Sequence, residues 1–133
     1  DLVALAQREN IHVVPLIGPS SILLALMASG LNGQRFAFQG YLPAKEVERT
    51  KMLRELEGES RKRRQTQIFI ETPYRNRQLF DSILQTCLPA TRLTVATDLS
   101  LPGEFVRTQT IQQWKKQTPP DIERRPTVFL ILA

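Results

Sequence analysis

The stretch Glu71-Thr72-Pro73-Tyr74-Arg75 sets a carboxylate, a hydroxyl, an aromatic ring and a guanidinium side by side. A plain structural turn needs only the proline and a capping threonine, so this mixture suits ligand binding or proton transfer. The alternative is a surface ion pair between Glu71 and Arg75, a contact that contributes little. Gly18-Pro19-Ser20-Ser21 offers hydroxyls and free amide donors at a predicted helix start, where they can meet the polar atoms of a ligand. An ordinary serine cap would look the same. Asp98 to Glu104 is a third polar turn after an apolar run.

Arg61-Lys62-Arg63-Arg64, with Lys45, Arg49, Lys51 and Arg54 upstream, can engage phosphates, and counterion release would make such binding salt-dependent. The other reading is a solvated surface partly neutralised by neighbouring glutamates. His12 has no acid near it in sequence and Cys87 ends an apolar stripe, so both read as structural. The chain has no Gly-x-Gly-x-x-Gly loop, no Walker sequence and no serine nucleophile elbow. One cysteine cannot form an internal disulfide, and one histidine without a cluster gives no metal site. A metal-free site in a reducing cytoplasm is therefore expected. The longest apolar stretch, Ile22 to Ala28, is far below the roughly 20 residues that span a bilayer, and no membrane partner is expected.

The elements that must position these residues alternate in type. Leu2, Val3, Leu5 and Ala6 share a side of a first helix, and His12 to Leu16 is a β-branched run read as a strand. Ile22 to Ser29 is apolar all round and is expected to be a buried helix. After the breaker Gly30 to Gly33, a short strand is predicted over Phe36 to Gln39, and a surface helix over Lys45 to about Glu59 with Met52, Leu53 and Leu56 on one face. Thr66 to Ile70 is a strand stopped by Pro73. Leu79, Phe80, Ile83, Leu84 and Cys87 then mark a helix that packs on a sheet. Leu93 to Thr97 is a strand, Phe105 to Thr110 an extended piece, Ile111 to Gln117 a short helix and Thr127 to Leu132 a wholly apolar last strand. Pro43 to Glu48 and Gln117 to Arg125 are expected to be loops. The pattern predicts an α/β fold, a layered mixed sheet flanked by helices. In such sheets ligands sit beyond the carboxyl ends of strands, where the three polar turns fall.

The 133 residues fit one domain, and 41% hydrophobic with 23% charged residues is an ordinary globular balance. A net charge of +5 leaves nucleic acid, a polyanionic small molecule and plain solubility as what the charge serves.

Four motifs in order carry a resemblance: Val-Val-Pro-Leu-Ile-Gly-Pro-Ser-Ser from Val13, Phe-Gln-Gly-Tyr-Leu-Pro from Phe38, Ile-Phe-Ile-Glu-Thr-Pro-Tyr-Arg from Ile68, and Glu-Phe-Val-Arg-Thr from Glu104. The series resembles the tetrapyrrole (corrin and porphyrin) methylase superfamily, and within it the small-subunit ribosomal RNA cytidine 2′-O-methyltransferase branch, over essentially the whole chain. The resemblance implies two α/β domains with S-adenosylmethionine in the cleft between them, usually as a homodimer. Residues 1–133 would be the second domain, with 1–10 the last helix of the first. It also implies that Ser20, Ser21 and Thr72 contact the cofactor, and that Leu99 and the Pro126-Thr127 pair flank its adenosyl group. Tyr74, Arg75, Lys45 and Arg49 are the candidates for holding substrate.

Two departures bear on the substrate. The ribosomal RNA branch usually has Ser and His where this chain has Thr72 and Tyr74, and a Lys- and Glu-rich stretch where it reads Ser100-Leu-Pro-Gly-Glu104. Methyl transfer from a sulfonium requires in-line geometry, exclusion of water and at most one base to take the acceptor's proton; Glu71 and Glu104 are the candidates. Three functions follow as expectations: ribosomal RNA ribose 2′-hydroxyl methylation, methylation of a tetrapyrrole or other small anionic acceptor, and a non-catalytic RNA-binding or dimerisation module on the same fold.

Overall fold

A computed structural model describes residues 1–133. Five strands form one sheet in the order β1-β2-β5-β3-β4, with β1 Phe36–Tyr41, β2 Thr66–Ile70, β3 Arg92–Thr97, β4 Phe105–Thr110 and β5 Thr127–Leu132. Only β1 and β2 run parallel; β5 lies antiparallel between β2 and β3, and β3 is antiparallel to β4. The mixed α/β sheet expected from the sequence is present. Helix α1 covers Leu2–Arg8, α2 Ser21–Ser29, α3 Glu46–Arg63, α4 Asn76–Thr86 and α5 Ile111–Lys115.

Side-chain alternation along the strands splits the core between the two sheet faces. Phe69, Leu93, Val95, Phe129 and Ile131 point to one face and pack with Leu53, Leu56, Leu79, Phe80, Ile83 and Trp114 from α3, α4 and α5. Ile68, Ala96, Val128, Leu130 and Leu132 point to the other, under Ala25 and Leu26 of α2. Phe69 and Phe129 are opposite partners in the β2–β5 ladder, and their rings stack at 6.2 Å. Trp114 meets Phe80 edge-on at 5.6 Å and donates its indole N–H to the Leu93 carbonyl at 2.9 Å, so the apolar body and the polar tip are both satisfied.

Buried Glu57 of α3 accepts from Leu88 N at 2.8 Å and Thr91 Oγ1 at 2.6 Å, which ties the α4–β3 turn to α3. Its charge and the loss of water push the neighbouring Cys87 thiol up to about 12, burial being the larger cause.

Four expectations are corrected. His12 to Leu16 forms no strand: residues 12–20 lack regular structure, and Val14, Leu16 and Ile17 are exposed. A β-branched run needs a partner ladder to become a strand, and Pro15 removes one of its donors. Helix α2 is buried on one side only, through Ala25, Leu26 and Ser29; Leu23 and Met27 face outward because nothing in this chain covers them. The segment Pro43 to Glu48 is not all loop, since α3 begins at Glu46. The basic run is largely helical as well, with Arg61, Lys62 and Arg63 forming the last turn of α3. Cations there oppose the negative end of the helix dipole, which favours continuing the helix.

Two measurements check this packing. Phe129→Ala should lower stability by about 3–5 kcal/mol in urea denaturation, because Phe129 is fully buried at the centre of the sheet. The Cys87 thiol should stay unreactive towards thiol reagents at pH 8 until the protein unfolds. Its raised folded pKa means that the folded state holds this proton longer than the unfolded chain does. The Cys87 contribution is therefore complete below about pH 9 and is lost as pH rises towards 12, a loss that Cys87→Ala should remove.

Candidate functional site

The carboxyl ends of β2 and β3 and the amino end of β5 meet at one edge of the sheet, as their pairing requires. A concave site of about 230 Å³ opens there, lined by Ser21, Ile70, Glu71, Pro73, Ala96, Asp98, Leu99, Leu101, Pro126, Thr127 and Val128. Complete small-molecule sites usually enclose about 300–1,000 Å³, so this one is sized as part of a cleft. Its floor is apolar, from Ala96 and Val128, and its rim polar.

Of the residues expected at the cofactor, Ser21, Leu99, Pro126 and Thr127 come together here. Ser20 caps α2 by accepting from Leu23 N at 3.5 Å, and Ser21 stands exposed beside it. Thr72 lies between the two lining residues Glu71 and Pro73 without lining the cavity itself. The Thr127 hydroxyl is taken up by Asn76, Thr97 and the Arg125 carbonyl, at 3.2, 3.0 and 2.9 Å, so this residue offers a ligand its methyl group and backbone.

The two candidate bases differ. Glu71 lines the cavity, is buried, and accepts from Thr72 N at 2.7 Å through Oε1, which leaves Oε2 without a protein hydrogen bond. Glu104 instead accepts from Ser100 N at 2.9 Å and closes its own turn. No ion pair joins Glu71 to Arg75. The Arg75 guanidinium lies over the Tyr74 ring at 5.0 Å, and Tyr74 is 62% exposed, which leaves a ring face open one residue beyond the lining Pro73.

Among the substrate candidates, Lys45 is exposed at the start of α3. Arg49 is 6% exposed and donates to Ser82 Oγ at 2.9 Å and the Ala44 carbonyl at 2.8 Å. Its guanidinium links α3 to α4, away from the cavity.

Sequence reasoning marked the turn that begins at Asp98 but gave Asp98 no role of its own, and it passed over Arg125. Asp98 Oδ2 accepts from Arg125 Nε at 2.9 Å, while Arg125 also donates to the carbonyls of Gly103 at 2.6 Å and Asp121 at 2.7 Å. A Cβ on Gly103 would lie 3.1 Å from the Arg125 guanidinium and 3.3 Å from Asp98 Oδ2, so only glycine leaves this clamp undisturbed. Buried Asn76 anchors the same loop by donating to the Ile122 and Arg125 carbonyls at 2.9 and 2.7 Å. The network fixes the cavity wall that carries Leu99 and Leu101. The signal available in sequence was Asp98 itself, an acid directly after a buried strand; its partner lies 27 residues away, beyond any local pattern.

No group of three or more His, Cys, Asp or Glu side chains is arranged to hold a metal ion. No helix is long and apolar enough to cross a membrane.

The sheet order, with its helices on both faces and its cleft at the strand ends, is the tetrapyrrole-methylase-like fold. It superimposes on a conserved hypothetical protein of Aeropyrum pernix K1 with a TM-score of 0.63, at 16% identity, over 99% of this chain and 52% of that one. For the methyltransferase CobJ the TM-score is 0.57, at 17% identity, over 98% of this chain and 55% of that one. No protein-family model matches the chain. In sequence it is 35% identical over 133 residues to the ribosomal RNA small subunit methyltransferase I of Xylella fastidiosa strain Temecula1, covering 99% of this chain and 47% of that protein. The protein of the same name from Buchnera aphidicola subsp. Baizongia pistaciae is 34% identical over 110 residues, which is 80% of this chain and 36% of its own length. The chain is a homologue of the ribosomal RNA small subunit methyltransferase I proteins and spans less than half the length of these two relatives.

A double-mutant cycle on Asp98→Asn and Arg125→Met should give a coupling energy of about 1–2 kcal/mol in urea denaturation. Additivity within about 0.3–0.5 kcal/mol would show that the pair does not hold the wall.

Proposed function

We propose that this chain is the carboxy-terminal domain of an S-adenosylmethionine-dependent methyltransferase that acts on ribosomal RNA, with a ribose 2′-hydroxyl as acceptor. The observation that carries the reading is the cavity at the strand ends, which gathers Ser21, Glu71, Leu99, Pro126 and Thr127 in a homologue of ribosomal RNA methyltransferases. Residues 1–133 form one wall of the cleft, and a preceding domain, ending in helix 1–10, supplies the other. The size of the cavity, below that of a complete ligand site, supports this division. Exposed Leu2, Val3, Ile17, Leu23 and Met27 support burial against the first domain and a second copy of the protein, as a homodimer.

The residues present fit the cofactor. Ala96, Leu99, Leu101 and Val128 offer an apolar bed for an adenine ring, and the Ser21 hydroxyl offers a polar contact at its edge. When bound, S-adenosylmethionine supplies an electrophilic methyl group on a sulfonium. The protein's part is to hold the acceptor in line, exclude water and take one proton. The exposed Tyr74 ring, backed by Arg75, suits stacking of the acceptor nucleotide's base. Glu71 lines the cavity with Oε2 free of protein hydrogen bonds and is the group to accept the 2′-hydroxyl proton; Glu104, committed to Ser100, has no such part.

Glu71→Gln in the whole protein should lower kcat about 100-fold or more with cofactor affinity unchanged; unchanged turnover would remove Glu71 as the base. Residues 1–133 alone should bind little S-adenosylmethionine in calorimetry, and micromolar binding would contradict a shared cleft. Mass-spectrometric mapping of small-subunit ribosomal RNA from a deletion strain should show one missing ribose methylation. An unchanged pattern, with salt-insensitive binding of a porphyrinoid, would instead assign a small anionic acceptor.

A further inference from the structure

The far end of the sheet from the cavity is strongly basic. Arg35 precedes β1, Arg61, Lys62, Arg63 and Arg64 end α3, and Arg92 opens β3 beside the last residue of β5. The carboxylates in the last two turns of α3 are Glu57 and Glu59, which face Arg61 at 4.0 Å and Arg63 at 2.6 Å. Arg35, Lys62, Arg64 and Arg92 make no ion pair. Elsewhere the cations of α3 are interleaved with Glu46, Glu48 and Glu55, and Arg77 and Arg125 have Asp81 and Asp98. The charge excess is therefore concentrated at this end.

The surface there is also built. Asn32 donates to the Arg64 carbonyl at 2.6 Å, Arg35 to the Arg63 carbonyl at 3.0 Å, and Thr66 Oγ1 to the Asn32 carbonyl at 2.8 Å. These bonds hold the loop before β1 against the end of α3 around a concavity of about 330 Å³ lined by Asn32, Gln34, Arg35, Arg63 and Arg64, with no carboxylate. Arg64 sits at φ 52, a left-handed position that favours glycine, so a cation is kept there against a backbone cost. Helix-end electrostatics account for the cations in the last turn of α3 and for Arg35, which donates to the Arg63 carbonyl, but not for Arg92, which opens β3.

Distance separates this surface from the cofactor site. The five steps from Thr66, at the start of β2, to Glu71, just past its end, span about 17 Å at 3.3 Å each, roughly twice the ~8 Å Debye length at physiological salt. The field of the patch is screened before it reaches the cavity. Its partner must lie at this end of the molecule.

We propose that Arg35, Lys62, Arg64 and Arg92 form a docking surface for the phosphate backbone of the RNA substrate, remote from the methylated position. The inference rests on the RNA reading given above and assigns the surface that grips the RNA remote from the chemistry. Asn32 and Gln34 supply neutral donors to the same phosphates.

The test uses the whole protein with single-stranded RNA of mixed sequence, titrated at several salt concentrations. A Lys62→Ser, Arg64→Asn, Arg92→Thr variant keeps a residue that tolerates the left-handed cap at position 64. Losing three contacts should reduce the slope of log affinity against log salt by about 2 and weaken binding tenfold or more at low salt. Its thermal midpoint and S-adenosylmethionine affinity should stay unchanged. A variant with the wild-type slope would overturn the docking surface and leave the RNA reading standing. Wild-type protein without RNA affinity would overturn both.

Discussion

The structure depends on one strand. Thr127–Leu132 is buried at every position and sits antiparallel between β2 and β3, so neither half of the sheet reaches the other without it. Its outward alternation feeds both cores at once: Phe129 and Ile131 to the face under α3, α4 and α5, and Val128, Leu130 and Leu132 to the face under α2. A strand buried on both faces must be apolar throughout, and Val-Phe-Leu-Ile-Leu meets that demand. The same strand shapes the cavity at its start. Because β5 runs against β2 and β3, its first residues lie beside their last ones, and Pro126 and Thr127 close the cavity that Glu71 and Leu99 open.

The polar network around that start converts packing into a shaped site. Asn76 and Arg125 together hold a loop whose backbone carbonyls would otherwise be unsatisfied, and Asp98 answers the Arg125 charge. Removing one member would leave a buried polar group unpaired, which costs more than the lost bond itself. The cavity wall that carries Leu99 is thus tied by hydrogen bonds to the sheet beneath it. Tyr74, by contrast, is exposed, with the half-buried Arg75 stacked on its ring.

Much of this was legible in the sequence, for definite reasons. The strand-forming run Leu93–Thr97 and the spacing of three to four along Leu79–Cys87 mark buried elements, and both form where that pattern puts them. Residues that follow strands were legible as a site because strand ends define clefts in α/β sheets. What stayed hidden depends on partners distant in the chain. Val13 and Val14 have the composition of a strand but no ladder to join, Arg49 spends its charge on Ser82 rather than on a ligand, and Arg125 finds Asp98 only once the sheet has formed. Local pattern carries propensity; pairing is a property of the fold.

Hydrogen exchange of the whole protein, with and without S-adenosylmethionine, tests the central claim that these strand ends form one wall of a cofactor cleft. Added cofactor should slow exchange at residues 70–73, 96–101 and 126–128, with little change at the basic end of α3. Protection confined to other segments, with these three unaffected, would contradict the account.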